Sequence, residues 1–219
     1  MITHRHVPLN GIDMHIAEQG EGPLVLLLHG WPETWYSWRH QIDALAAAGY
    51  RVVAPDQRGY GATDRPDAVD QYSIFHLVGD VVALIHELGE EQAAVVGHDW
   101  GSIVASNTAV LRPNVVRGLA CVAIPPIPRG PLPPMTETEQ RFGKGFYQNY
   151  FQEPGVAEAS LEKMSLPLFV WRSQASATLS PRKVSSACSS NQRRCRTGSL
   201  RKTWRRSSSS SPQAASPAV

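Results

Sequence analysis

Short apolar runs alternate, over the first three quarters of the chain, with longer segments whose apolar positions recur at helical spacing. Each run has the length of one strand and is bounded by turn residues, as is typical of strands buried on both faces. The four runs cover residues 24–28, 51–54, 93–96 and 116–124. The helical segments cover residues 35–48, 73–88 and 101–111. Strands that alternate with helices in this way predict an α/β fold with a mostly parallel, doubly wound sheet.

The two flanks of this alternation follow other patterns. Residues 3–18 alternate around Asn10-Gly11, a dipeptide that favours a two-residue hairpin turn. Ser73 stands where it can cap the second predicted helix. After Ile124, six prolines within ten residues predict an extended crossing segment. Residues 137–163 then return to helical spacing, which suits the start of a lid over the sheet.

Charge divides the chain after Lys163. Residues 164–219 contain ten of the 21 Lys and Arg residues and none of the 19 Asp and Glu residues. The first part therefore carries a net charge of −8 and the last part +10, so the overall +2 is a cancellation that indicates nothing about partners. We expect three parts: the N-terminal part of an α/β core (1–125), a partial lid (126–163) and a basic tail (164–219).

The tail, rich in Ser and Arg, shows no consistent period, and we expect it to be disordered. Three explanations are open: a natural disordered tail, a nucleic-acid-binding tail that grips phosphate through clustered Arg, and an out-of-frame or wrongly assigned translation. The abrupt change of composition inside a helical lid segment favours the third. Charge runs of this kind are usually solvated, so we expect no nucleic-acid partner.

The cysteines and the apolar runs bear on compartment and cofactors. Cys121, Cys188 and Cys195 have neither metal-ligand spacing nor an even disulfide framework, and Cys121 is expected to be a core thiol. No signal peptide and no long apolar run is visible, which predicts a soluble cytoplasmic protein without a membrane partner. The sequence predicts no cofactor and no metal site, and it indicates no oligomeric state.

The strongest chemical signal lies at the end of the third apolar run, in the segment Val95–Ser102 (VVGHDWGS). A buried strand, a tight turn flanked by small residues and a helix are typical of a nucleophile elbow, here with Asp99 in place of serine. The turn presents Asp99 beside a helix N-terminus, whose dipole favours a carboxylate. The alternative, that Asp99 only caps the helix, accounts for less of this context.

An aspartate at the elbow changes the reaction that the site can perform. A hydroxyl that attacks a saturated carbon leaves an ether, which water cannot easily open. A carboxylate leaves an ester, which water can hydrolyse at the carbonyl with the help of an oxyanion hole. Asp99 therefore indicates substrates that are attacked at carbon, such as epoxides or alkyl halides.

A second signal follows the first apolar run, in His29-Gly30-Trp31-Pro32. In proteins with a nucleophile elbow, the loop at this position supplies one oxyanion donor, and the residue after the nucleophile supplies the other. We therefore expect the backbone N–H groups of Trp31 and Trp100 to form the oxyanion hole, and both residues to contact the substrate. The Trp31–Pro32 peptide bond is a candidate for the cis form.

Four segments of the chain resemble soluble epoxide hydrolases of the α/β-hydrolase fold. They are His29–Trp38, Asp56–Asp64, Gly97–Ser102 and Phe146–Glu158. The first and third are shared with haloalkane dehalogenases, whereas the lid segment is specific to epoxide hydrolases. The resemblance covers about three quarters of the chain. It implies hydrolysis of a small apolar epoxide to a vicinal diol through an ester on Asp99, without a cofactor.

The same resemblance implies a role for a lid tyrosine, which hydrogen-bonds the epoxide oxygen as the ring opens. Tyr147 matches that position of the motif. The chemistry needs such a group because an alkoxide leaving group must be stabilised or protonated, and a phenol is a suitable acid. The alternative for Tyr147 is a packing role in the lid, which is also what we expect of Tyr150.

The resemblance further implies a histidine base and an orienting acid after the nucleophile. The sequence contains no His after His98, no Asp after Asp99 and no Tyr after Tyr150. We expect His98 to point away from the nucleophile and His29 to fix its own loop. The remaining histidines are expected in a helix (His76, His86) or at the periphery (His4, His6, His15, His40). This chain is therefore expected to form the ester but to hydrolyse it slowly.

Two other functions remain open at this stage. One is a relative of the haloalkane dehalogenases, in which Trp100 would bind the halide. The other is a non-catalytic hydrolase fold that binds a small apolar ligand, for which the missing histidine is the best support. An ester on Asp99 distinguishes both enzymes from the binder, and halide release distinguishes the two enzymes.

Overall fold

The computed structural model describes residues 1–128 and 130–163, and the tail expected at 164–219 lies outside them. Six strands form one sheet in the order β1-β2-β4-β3-β5-β6. They are β1 (Thr3–Leu9), β2 (Ile12–Gln19), β3 (Leu24–Leu28), β4 (Arg51–Pro55), β5 (Ala93–His98) and β6 (Val116–Val122). β2 pairs antiparallel with β1 and β4, whereas the pairs among β4, β3, β5 and β6 are parallel. The mostly parallel sheet predicted from the sequence is thereby confirmed.

The predicted hairpin joins β1 to β2. Asn10 and Gly11 have φ values of 43° and 79°, as a two-residue turn with two left-handed residues requires. One prediction about this hairpin is wrong: His15 is buried, not peripheral. The reason is that β2 pairs with β4 on its other edge, which brings His15 against the buried carboxylate of Asp56.

The helices confirm the predicted alternation, with two differences. They are α1 (Arg39–Ala47), α2 (Ile74–Glu87), α3 (Trp100–Leu111), α4 (Pro134–Phe142), α5 (Tyr147–Tyr150) and α6 (Val156–Lys163). The predicted helix 35–48 is divided, because the Thr34 side chain caps a separate 3-10 turn over Trp35–Trp38. The predicted strand 116–124 ends at Val122, since Ala123 has a φ of 74°. No helix in the described ranges is long and apolar enough to cross a membrane.

Helices cover both faces of the sheet, as the sequence predicted for a doubly wound fold. Alternate residues of β3 serve the two cores: Leu24, Leu26 and Leu28 pack with α2 and α3, whereas Val25 and Leu27 pack with α1. All five β3 side chains are buried. The central strand is therefore apolar throughout, which explains its continuous apolar run.

Strand β6 is the last strand of the sheet within the described residues, and most of its side chains are exposed. Leu119 and Val122 are examples, at 38% and 46% exposure. The prediction that Cys121 is a core thiol is wrong, since the residue is only half-buried. The reason is that, within the described residues, β6 pairs with a neighbour on one edge only, β5, and packs against one helix, α3.

Candidate active site

The candidate site lies where β3 and β5 end side by side. The two strands are parallel neighbours, with Leu28 opposite Gly97. The segments that follow them, His29 to Thr34 after β3 and Asp99 after β5, therefore meet at one edge of the sheet. The carboxyl edge of a parallel sheet is the usual location of a ligand site in α/β folds.

Asp99 occupies a strained turn between β5 and α3. Its φ of 51° and ψ of −121° are rarely adopted by a residue with a side chain. The turn requires glycine on both sides: a Cβ at Gly97 would overlap the backbone of Gly101, and a Cβ at Gly101 would overlap the backbone of Leu28. The geometry is that of a nucleophile elbow, and the Asp99 side chain is half-buried above the sheet.

Ser102 fixes this turn to the neighbouring strand. Its hydroxyl donates to the carbonyl oxygen of Gly97 (2.6 Å) and accepts from the backbone N–H of Val122 (3.2 Å), and its own backbone N–H donates to the carbonyl of Asp99 (2.9 Å). Sequence reasoning treated Ser102 only as a small residue. Its position three residues after Asp99, in the first turn of α3, is the only sequence signal for these bonds.

The loop after β3 touches the Asp99 carboxylate directly. The backbone N–H of Trp31 donates to Asp99 Oδ2 over 3.1 Å. The Trp31–Pro32 bond is cis, as predicted. Gly30 makes this approach possible, because a Cβ there would lie 2.5 Å from Asp99 Cβ and 2.8 Å from Asp99 Oδ2. The first expected oxyanion donor is therefore at hydrogen-bond distance from the expected nucleophile.

The second expected donor follows Asp99 in the chain. Trp100 is the first residue of α3, so its N–H is at the positive end of that helix, next to the carboxylate. Its side chain is 36% exposed and that of Trp31 is half-buried. Both indole rings are thus accessible to a small ligand.

His29 hydrogen-bonds to the backbone of its own loop and to that of Gln57, as expected of a residue that fixes the loop. Its ring is buried and lies between the carbonyl of Gly30 (2.8 Å from Nδ1) and the backbone N–H of Gln57 (3.0 Å from Nε2). Because Gln57 donates to Nε2, the proton of the neutral ring is on Nδ1, which donates to Gly30. Burial lowers the pKa of His29, which keeps the ring neutral.

Glu33 connects the loop after β3 with the end of β5. Its Oε2 accepts the N–H of Gly30 (3.0 Å) and lies 3.2 Å from Nδ1 of His98. His98 thus interacts with Glu33, whereas its neighbour Asp99 interacts with Trp31. This arrangement agrees with the expectation that His98 points away from the nucleophile, as successive strand residues do.

Aromatic side chains of residues 147–151 pack over the loop that follows β3. The ring of Tyr147, at the start of α5, stacks on Trp31 with centroids 5.8 Å apart, and Phe151 meets the edge of Trp31 at 5.2 Å. Gln148 Nε2 donates to the Tyr147 hydroxyl over 3.2 Å. Tyr150 instead bonds the carbonyl of Val156 within the lid, which is the packing role expected of it.

Tyr60 is a site residue that sequence reasoning missed. Its ring meets the edge of His29 at 4.9 Å. Burial, together with the charges of Asp99 and Tyr147, raises the pKa of Tyr60 to about 12. The phenol of Tyr60 therefore stays protonated near Asp99 and Tyr147. Its only signal was its place in the Gly-rich loop Arg58–Gly61.

The chain is similar to proteins that are named epoxide hydrolases. Over 162 residues the chain is 49% identical to epoxide hydrolase A of Mycobacterium tuberculosis, covering 73% of this chain and 50% of that protein. It is 44% identical to bifunctional epoxide hydrolase 2 of Sus scrofa, covering 74% and 29%. The crystal structure of an epoxide hydrolase from Vigna radiata matches with a TM-score of 0.71 and 52% identity, over 73% of this chain and 52% of that one.

The chain thus spans about half the length of the first of these relatives and of the Vigna radiata structure. Residues 23–213 match the protein family described as alpha/beta hydrolase fold. That match includes the strand–turn–helix segment with Asp99 and the loop with Trp31. The chain belongs to the α/β-hydrolase fold family.

Proposed function

We propose that this chain reacts with small apolar epoxides to form an ester on Asp99, the first half of epoxide hydrolysis to a vicinal diol. The observation that carries the proposal is the hydrogen bond from the Trp31 N–H to Asp99 Oδ2 at the elbow. The names of the relatives support epoxides as the substrate class. Residues 1–125 would form the hydrolase core and residues 126–163 the part of the lid that carries Tyr147.

The chemistry follows from the two oxygens of the carboxylate. Oδ1 attacks an epoxide carbon, and a bond between them forms as the carbon–oxygen bond of the ring breaks. The electron pair of that bond passes to the epoxide oxygen, which takes the phenol proton of Tyr147. Oδ2, which accepts the hydrogen bond from the Trp31 N–H, becomes the carbonyl oxygen of the ester.

The second half of the reaction would use the same donors. Water that attacks the ester carbon places negative charge on Oδ2, where the N–H groups of Trp31 and Trp100 stabilise it. This attack also needs a base, and the sequence has no His after His98. His98 is hydrogen-bonded to Glu33, and His29 is hydrogen-bonded to Gly30 in its own loop. We therefore expect the ester to accumulate rather than turn over.

The test compares the rate of protein alkylation by styrene oxide with that by 1-bromohexane, followed by intact-mass spectrometry. Tyr147→Phe should slow the epoxide reaction about 10²-fold, because the alkoxide loses its proton donor. It should leave the bromide reaction unchanged, since bromide leaves without a proton. Tyr150→Phe is the matched control, because it removes a hydroxyl from the same lid and should change neither rate.

Other outcomes would support the alternatives. Rapid alkylation by 1-bromohexane with bromide release, and none by styrene oxide, would favour a dehalogenase. Reversible binding of both compounds without any covalent adduct would favour a ligand-binding hydrolase fold. Equal slowing by Tyr147→Phe and Tyr150→Phe would assign Tyr147 to packing.

A further inference from the structure

The antiparallel pairing of β1 with β2 gathers three histidines that are scattered in the sequence. His6 lies directly opposite His15, and His4 lies diagonally from it, opposite Ala17. The three rings are on one face of the hairpin, with centroids of His4 and His6 at 5.2 Å and 5.4 Å from that of His15. This cluster is separate from Asp99 and takes no part in the reaction proposed above.

Within the cluster, Nδ1 of His4 and Nε2 of His15 are 3.1 Å apart. Two uncharged ring nitrogens at that distance share a single proton, because one must donate and the other accept. His4 is exposed and His15 is buried, so the pair opens to solvent on the His4 side only.

Asp56 decides which nitrogen of His15 is the acceptor. Its carboxylate accepts from His15 Nδ1 (2.9 Å) and from the backbone N–H groups of Trp35 (2.9 Å) and Ala62 (3.1 Å). His15 Nδ1 therefore holds the proton, and the lone pair of Nε2 points to His4. A carboxylate that fixes an imidazole through its other nitrogen is the usual support of a metal-ligating histidine.

We infer that His4 and His15 form a binding site for a divalent transition-metal ion that prefers imidazole, such as Ni²⁺, Cu²⁺ or Zn²⁺. Two nitrogen ligands about 2.1 Å from one ion and 90° apart, as in the tetragonal geometry of Ni²⁺ and Cu²⁺, are about 3.0 Å from each other, close to the 3.1 Å between these two nitrogens. Binding changes the tautomer of His4: its proton moves from Nδ1 to Nε2, and the freed Nδ1 lone pair turns to the metal, so no net proton is released. Being exposed, His4 can make this turn.

Water completes the coordination. In the described part of the chain, no group of three or more His, Cys, Asp or Glu side chains is arranged to hold a metal ion. His6 is turned to Asp13, with Nδ1 3.1 Å from Oδ2. A site with two protein ligands is open to solvent and binds weakly, so the ion is exchangeable.

The test is a titration of the full chain, purified without a histidine tag, with Ni²⁺ at neutral pH. Trp35 reports binding, because its ring lies 4.6 Å from that of His4 and a paramagnetic ion there quenches its fluorescence. Calorimetry gives the stoichiometry, for which we expect one ion. His4→Gln should weaken binding at least tenfold, on the order of the effect of losing even an outer-shell partner. His15→Gln should do the same.

His40→Gln is the matched control, because it removes an exposed histidine from α1 and should leave the affinity unchanged. Thermal unfolding of His15→Gln separates loss of the site from loss of the fold, whereas exposed His4 can be replaced without disturbing the core. Absence of saturable quenching in the unaltered chain would overturn the inference. Unchanged affinity in His4→Gln, or an equal loss in His40→Gln, would overturn it as well.

Discussion

At the elbow, close contacts with neighbouring atoms, rather than the propensity of a residue for helix or strand, determine which residue type fits. Asp99 is held at a positive φ, which costs a residue with a side chain about 1–3 kcal/mol. The flanking Gly97 and Gly101 leave no room for a Cβ. Gly30 is similar, but the group that fills its space is the Asp99 side chain itself. At Gly30, therefore, the requirement concerns the site and not the fold.

Gly30→Ala should displace the Asp99 carboxylate and break its bond to the Trp31 N–H. Misplacement of a reacting group by about 1 Å costs about 10²-fold in rate, so alkylation by styrene oxide should slow by that order. The rate is measured by intact-mass spectrometry. Gly118→Ala in β6 is the control, since nothing lies within 4 Å of its added Cβ. Equal rates in both variants would show that the loop does not position Asp99.

The sequence did not predict which distant residues contact one another in the folded chain. Asp99 and Trp31 were predictable, because a strand end, small neighbours and a turn mark each of them locally. Tyr60 and His15 were not predictable, because their partners are far away in sequence. The charges of Asp99 and Tyr147 act on the pKa of Tyr60, and His15 is hydrogen-bonded to Asp56. A one-dimensional pattern shows which residues are apolar or small, but not which distant polar groups share a pocket.

At the scale of elements, local signals were sufficient for most helices and strands. The four apolar runs became β3, β4, β5 and β6. Burial explains the runs of β3 and β4, because a strand covered on both faces is apolar at nearly every position, but it does not explain β6, most of whose side chains are exposed. Boundaries were less predictable, as the end of β6 at Val122 depends on the backbone of Ala123. Ser73 was correctly predicted as the cap of α2, where its hydroxyl accepts the N–H of His76.

Ser73→Ala should lower the free energy of unfolding by about 1 kcal/mol, because the first turn of α2 loses the acceptor of a backbone N–H. Urea unfolding followed by circular dichroism measures this change. Ser106→Ala is the matched control: Ser106 lies inside α3, where its hydroxyl bonds the carbonyl of Ile103 and alanine is the better helix former. An equal loss in the two variants would argue against a capping role.

For the whole molecule, burial of His29 makes stability depend on pH. Burial lowers the pKa of His29 in the folded chain, although the Gly30 carbonyl and the charges of Asp56 and Glu33 oppose this shift. The unfolded chain titrates this group near its ordinary pKa of 6.5. Below that pH the unfolded state binds a proton that the folded state does not, so stability is complete above pH 6.5 and decreases as the pH falls.

The predicted result is a free energy of unfolding that declines below about pH 6.5, by at most about 1.4 kcal/mol per pH unit for this one group. Urea unfolding between pH 5 and pH 8 measures it. His29→Gln should be less stable at pH 8 but show a shallower decline, whereas His40→Gln should keep the slope of the unaltered chain. A slope that His29→Gln does not change would assign the acid sensitivity to other groups.

Asp99 is the residue proposed to attack the epoxide, and peptide mapping after a single exposure to styrene oxide tests this role directly. The full chain is digested, and the modified peptide is located by tandem mass spectrometry. We predict one ester on Asp99, its absence in Asp99→Asn, and its retention in Asp43→Asn, which removes an exposed carboxylate from α1. Modification spread over several carboxylates, or undiminished in Asp99→Asn, would contradict the proposed reaction.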